Sequence, residues 1–143
     1  MIDWTDASDP ITDHFCVNDA LLLHEWNRLA KPVDGLTDDI KENLIKVCEK
    51  LELVREILGC PMFVTSMFRS VDYNRSQGIV PNNDVHSMGM ACDFTCQGYL
   101  TIDEIHAKLL SHLEDLGLRM EMDTQTWCHV DIHPVMNARY FKA

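Results

Sequence analysis

The segment from Thr37 to Gly59 constrains the fold most, because it carries a helix start, an apolar stripe and a stop in one stretch. Thr37 is a good N-cap, and Asp38 and Asp39 follow in the first turn, where the helix dipole favours carboxylates. Ile40, Leu44, Cys48, Leu51 and Leu58 share one face at helical spacing, and Gly59 stands where a left-handed C′ residue is needed. A striped helix needs a partner surface, and the rest of the chain supplies strands. Pro61 opens an apolar strand, Met62 to Thr65, and a second runs Met90 to Phe94. Leu118 to Met122 and Trp127 to His133 read as two more, joined by Asp123-Thr124-Gln125-Thr126.

Two further helices complete the pattern. Asn18 can cap one running to about Ala30, with Leu22, Trp26 and Leu29 at helical spacing and Pro32 barring continuation. Thr101 and Glu104 form a capping box, and Leu100 and Ile105 a hydrophobic staple, so a helix starts at Ile102. Its stripe is Ile105, Leu109, Leu113 and Leu116, and Gly117 ends it. Between the first two strands lies a polar stretch of roughly seventeen residues, Arg69-Ser70-Val71-Asp72-Tyr73-Asn74 and onward through Gly78, Pro81, Asn82 and Asn83, long enough to invite a functional explanation. The predicted fold class is α+β, a small antiparallel sheet with helices packed on it. Residues 1–143 are expected to form a single domain, with residues 1–10 as an N-terminal arm whose order depends on docking.

Charge narrows the partners. Twelve Lys and Arg against 23 Asp and Glu leave a formal charge of −11, which argues against nucleic acid or an anionic membrane and suits a cationic ligand or a metal. The longest clean apolar run, Ala20 to Leu23, is far short of the roughly 20 residues a bilayer crossing needs. The acidic start Met1-Ile2-Asp3-Trp4 lacks the basic region of a signal peptide, so synthesis in the cytoplasm is expected. Six cysteines, Cys16, Cys48, Cys60, Cys92, Cys96 and Cys128, are too sparse for a disulfide scaffold and read mostly as reduced, buried residues.

In the last strand Cys128, Val130 and Ile132 alternate with Trp127, His129, Asp131 and His133, so period two puts the first set on the core and the second on the other face. Trp127 there suits a cleft wall, and Asp131 can orient an imidazole or line the cleft. His86 and Asp93 form a second pair with six residues between them. As a strand they would stand about 23 Å apart and as a helix about 10 Å, too far for two ligands of one metal. The chain must turn back between them, and Gly89 permits the turn. A charged Asp93 in an apolar strand then needs a partner, for which a cation is suitable. His86, Asp93 and His129 together fit a hydrolytic zinc site on the sheet face, with two imidazoles, one carboxylate and a fourth position open. The competing thiolate set Cys92, Cys96 and Cys128 has a weak spacing, Cys128 faces away from His129, and Cys92 and Cys128 can simply pack on adjacent strands. His24, His106 and His112 read as solvated surface, and His133 as rim or support of the site.

Three stretches resemble one known family, in its order: Val64-Thr65-Ser66-Met67-Phe68-Arg69-Ser70 with Tyr73-Asn74, Pro81-Asn82 through His86 to Asp93, and Trp127-Cys128-His129-Val130-Asp131. His14-Phe15 and the helix after it look like the same family's opening. The family is the zinc peptidases of the D-alanyl-D-alanine carboxypeptidase and L-alanyl-D-glutamate endopeptidase type, frequent among phage endolysins. The resemblance implies Zn2+ on His86, Asp93 and His129, an attacking water, and Arg69 as the arginine that binds substrate and supports the polarised carbonyl. It also implies a peptidoglycan peptide substrate and action at the bacterial cell wall or from a virion; a monomer without nucleic-acid or membrane partners is expected, in line with the acidic charge.

Two departures qualify the match. Many members carry the general base three residues before the last histidine, where this chain has Thr126. A three-residue loop before Trp127 would put Glu121 and Asp123 on the face of His129, with Glu121 preferred as base; a four-residue loop points Glu121 away. Asp84 replaces a serine usual two residues before the first histidine. The alternative function is a catalytically silent metal-binding module that grips peptidoglycan or a virion partner.

Overall fold

The computed structural model of the protein describes residues 1–79 and 84–142. The N-terminal arm is docked: Ala7 and Asp9 carbonyls accept from Asn18 and Val17 amides at 2.8 and 2.9 Å. The first helix, α1, covers Val17–Leu21 and starts from Cys16, not Asn18. It does not reach Ala30. Strands β1 (Leu22–Leu23) and β2 (Arg28–Leu29) pair antiparallel around a 3-10 turn closed by Asn27 at φ 51°. The cause is the leucine run. A continued helix would spread Leu21, Leu22 and Leu23 over about 200° of its surface, whereas the observed break leaves Leu21 and Leu23 both buried.

Helix α2, Asp38–Leu58, forms as the sequence dictates, with Thr37 Oγ1 accepting from the Ile40 amide at 3.2 Å and Gly59 left-handed at φ 69°. It buries Leu44, Val47, Cys48, Leu51, Val54 and Leu58. Each apolar side chain of this size contributes roughly 1.5–3 kcal/mol when fully buried. Strand β3 is Phe63–Ser66. The polar stretch after it contains an unexpected helix, α3, Val71–Ser76, capped by Ser70 Oγ accepting from the Tyr73 amide at 3.1 Å. Pro81, Asn82 and Asn83 lie outside the described residues.

Strand β4 is Ala91–Thr95, and helix α4, Ile102–Leu109, starts on the expected Thr101–Glu104 capping box. The expected single helix to Leu116 is interrupted by a 3-10 turn at Leu110–His112 before α5, Leu113–Leu116, though Leu113 and Leu116 stay buried. Strands β5 (Arg119–Glu121), β6 (Cys128–Asp131) and β7 (Tyr140–Phe141) complete a five-stranded sheet of order β3-β4-β6-β5-β7. Its first four strands are antiparallel, as expected. The edge strand β7 joins β5 in parallel, so the sheet is mixed; two residues carry too little alternation to be read from sequence.

Helix α1 packs on β3, α2 on β4 and α4, and α4 on β6. Cys92, Phe94, Cys128 and Val130 join that helical core. By the strand alternation, Asp93, His129 and Asp131 belong to the opposite face. The sheet thus separates a dry core from a face free to carry chemistry.

Candidate metal centre

The register of the sheet assembles the site. Ser66 is paired with Asp93, and Asp93 with His129. Arg119 is opposite Asp131 and Met120 opposite Val130, so one further step along β5 sets Glu121 opposite His129. Glu121 in turn pairs with Phe141. A single cross-strand row therefore carries Asp93, His129 and Glu121, with neighbouring Cβ atoms about 5 Å apart. Six residues, Met122 to Trp127, separate the two strands, rather than the three or four expected, and the register carried along β5 still puts Glu121 on the row of His129.

His86 arrives from outside the sheet. Its own carbonyl closes a turn with the Gly89 amide at 3.2 Å, its amide donates to Asp84 Oδ1 at 3.0 Å, and Gly89 takes φ 71°. Asn43 Nδ2 donates to the Met88 carbonyl at 2.9 Å, tying the turn to α2. The turn-back expected between His86 and Asp93 thus brings His86 Nε2 to 3.3 Å from Asp93 Oδ1, while His129 Nδ1 lies 2.8 Å from the same oxygen. The donor atoms of His86, Asp93 and His129 all lie within 4.8 Å of one another.

Both imidazoles have their remote nitrogen engaged. His86 Nδ1 donates to the Met67 carbonyl at 2.7 Å, which directs Nε2 at the cluster. His129 Nε2 lies 2.8 Å from Asp131 Oδ2, which directs Nδ1 there. Burial alone would raise the Asp93 carboxyl, but the charge of His86 and hydrogen bonds from both imidazoles outweigh it and hold the group well below the usual carboxylate range. Burial alone would lower His129, but hydrogen bonds to Asp131 and Asp93 outweigh it and lift its pKa to about 9. The two carboxylates thus draw positive charge to this point. A divalent cation satisfies the same donor set, and two imidazoles with one carboxylate match a zinc site that keeps a position open.

The cluster opens into a cleft of about 430 Å³ whose lining includes Arg69, Asp84, Glu121, Trp127 and Phe141. Trp127 is 38 % exposed and forms wall, as its position between polar neighbours suggested. Arg69 Nη2 is 3.7 Å from Asp84 Oδ2, and its Nε is buried without a hydrogen-bond partner among the described residues. Asp84, in the place of the usual serine, also accepts from Asn74 Nδ2. Asp123 lies apart from the cluster, lining a separate cavity of about 690 Å³ with Thr101, Asp103 and Gln125. The His133 amide donates to Asp131 Oδ1 at 3.1 Å, so His133 supports the site from the rim.

One histidine departs from expectation. His106 is buried, with Tyr140 Oη 3.3 Å from its Nδ1 and Thr124 Oγ1 3.5 Å from its Nε2. It faces the β5–β6 loop and β7 rather than solvent, because α4 turns that side towards the sheet edge. Arg119 escaped sequence reading altogether, although it sits two residues before Glu121 on the same face of β5. The Met67 carbonyl left no sequence signal, since any residue supplies one.

An α+β sheet that offers two imidazoles and a carboxylate to an open cleft defines a candidate centre of the metallohydrolase kind. A family model described as Peptidase M15 matches residues 19–131, a span containing all the cluster residues with Arg69, Glu121 and Asp123, and the chain belongs to that family. No curated protein and no solved structure matches.

Proposed function

We propose that the chain is a zinc peptidase hydrolysing peptide bonds in peptidoglycan stem peptides, of the D-Ala-D-Ala carboxypeptidase or L-Ala-D-Glu endopeptidase type. In this reading it acts at the bacterial cell wall as a single-domain, monomeric, endolysin-like enzyme. The observation that carries it is the His86, Asp93 and His129 cluster, with donors within 4.8 Å, at the base of an open cleft.

Zinc bound by these residues supplies Lewis acidity and makes water at the site more acidic. The chain supplies the rest. Arg69, in the cleft lining, turns its guanidinium donors to the carbonyl oxygen as negative charge develops on it. Glu121, opposite His129 in the row and in the cleft lining, takes a proton from the attacking water and returns it to the leaving amine. Asp123 is the weaker candidate base, since it lines a different cavity. The acidic balance of the chain, −11, favours substrates bearing ammonium groups.

Thr126 supports the alternative of a silent binding module, because it cannot accept a proton where relatives carry an acid. Glu121 on the face of His129 answers that objection. A wall-degradation assay on purified protein, with zinc and with chelator, separates the readings. Metal-dependent release of stem peptides is expected, with about one zinc per chain, lost in His129→Ala. Activity surviving complete metal removal overturns the zinc mechanism, and wall binding without cleavage overturns the peptidase reading.

A further inference from the structure

Asp131 is wholly buried and its carboxylate is saturated. Oδ1 accepts from Arg119 Nε at 2.7 Å and the His133 amide at 3.1 Å; Oδ2 accepts from Arg119 Nη2 at 3.0 Å and faces His129 Nε2 at 2.8 Å. A carboxylate offers about four lone-pair sites, so none remains for a metal. The guanidinium of Arg119 is itself fixed, 4.3 Å from the Phe141 ring centroid, and the Phe141 ring stands edge-on to His129 at 6.1 Å. Strands β5, β6 and β7 therefore converge on one imidazole from the side away from Asp93.

We propose that Asp131, clamped by Arg119, is the positioning residue of the site: it holds the His129 Nε2 proton and so commits Nδ1 to the metal. The inference rests on the zinc reading above. A neutral imidazole has one proton and two places for it, and a ligating nitrogen must be the bare one. With Asp93 facing Nδ1 and nothing facing Nε2, the proton would favour Nδ1, the tautomer that blocks coordination. The acceptor at Asp131 reverses that preference, and the bidentate Arg119 fork prevents the ring and carboxylate from swinging together. Neither residue touches the substrate in this account.

The test is zinc affinity, measured by competition with a chromophoric chelator in wild type, Asp131→Ala, Asp131→Asn and Arg119→Met, after circular dichroism has confirmed folding. Asp131→Ala should weaken zinc by roughly 10–100-fold. Asp131→Asn, whose amide oxygen still accepts from Nε2–H, should recover most of that loss, and Arg119→Met should fall between. In the zinc-loaded protein, ¹⁵N spectra of the His129 ring should show a protonated Nε2 in wild type and Asp131→Asn and a weakened or lost Nε2 proton signal in Asp131→Ala. If Asp131→Ala fails to fold, the Arg119→Met affinity and ring spectrum decide. Unchanged affinity and ring spectra across the folded variants overturn the positioning role while leaving the zinc reading intact. Failure of the wild type itself to take up zinc overturns the zinc reading, and this role with it.

Discussion

Gly89→Ala should destabilise the protein well beyond what its backbone angle alone costs. Gly89 has φ 71°, and a Cβ there would lie 2.8 Å from both the Ile40 carbonyl oxygen and Ile40 Cγ2, and 3.3 Å from Leu44 Cγ. The left-handed conformation costs an L-residue roughly 1–2 kcal/mol. Forcing a methyl against the first turn of α2 adds about 1–3 kcal/mol, because the obstructing oxygen is backbone that cannot rotate away. The sum is about 2–5 kcal/mol. Gly98 supplies the control, with φ 89° and nothing within 4 Å of the point where a methyl would stand, so Gly98→Ala should show the angular cost alone. Urea unfolding of the three proteins, fitted with a common slope, reads the difference directly. Gly89→Ala should also weaken zinc binding, since this turn carries His86 to Asp93. Equal destabilisation by the two alanines, within about 0.5 kcal/mol, would show that α2 yields freely and that the turn is not pinned against it.

Glu121→Gln should lower kcat by roughly 10²–10⁴-fold with zinc content unchanged, while Asp123→Asn stays within a few-fold of wild type in a stem-peptide cleavage assay; the reverse order would transfer the base to Asp123. Burial lowers the His106 pKa below its ordinary value, favouring the neutral ring in the folded state. Its contribution to stability is therefore full above the unfolded value near 6.5 and is lost as pH falls through the lower folded value. Urea midpoints should drop more steeply towards pH 5 in wild type than in His106→Gln, and parallel profiles would refute the assignment. The buried thiols of Cys48, Cys92, Cys96 and Cys128 are pushed up by burial, Cys96 to about 12, so native protein at pH 8 should alkylate at Cys16 and Cys60 only. Rapid labelling of Cys128 by mass spectrometry would contradict the dry side of the sheet.

The parts of the fold legible in the sequence are those fixed by local chemistry. Thr37, Gly59, and the Thr101–Glu104 pair set helix ends through hydrogen bonds made within a few residues, and those ends fall where expected. The His86, Asp93 and His129 cluster was legible in part because a carboxylate in an apolar strand and a glycine between His86 and Asp93 each demand an explanation, and for the rest through the resemblance to a zinc peptidase family. What escaped depends on long-range context. The leucine run after α1 breaks its helix in favour of core packing, and β7 is held by β5 rather than by its own pattern. Asp131 was visible as a candidate, but its role needed Arg119, twelve residues away and positioned only by register.

Register also decides which chemistry the sheet presents. In β4 the sequence Cys92-Asp93-Phe94 alternates thiol, carboxylate and ring, and in β6 Cys128-His129-Val130 does the same with an imidazole in the middle. A slip of one residue in either strand would exchange the faces, putting a thiol in the cleft and Asp93 or His129 among the core leucines. Burial of Phe94, Val130 and both thiols opposes that slip, and the Arg119–Asp131 pair opposes it from the other side, since Asp131 would enter the apolar layer and leave Arg119 without its partner if β6 moved alone. The apolar face thus sorts the donors: cysteines that could compete for a metal are held where burial keeps them protonated, and the harder His and Asp donors of the candidate site are left facing the cleft.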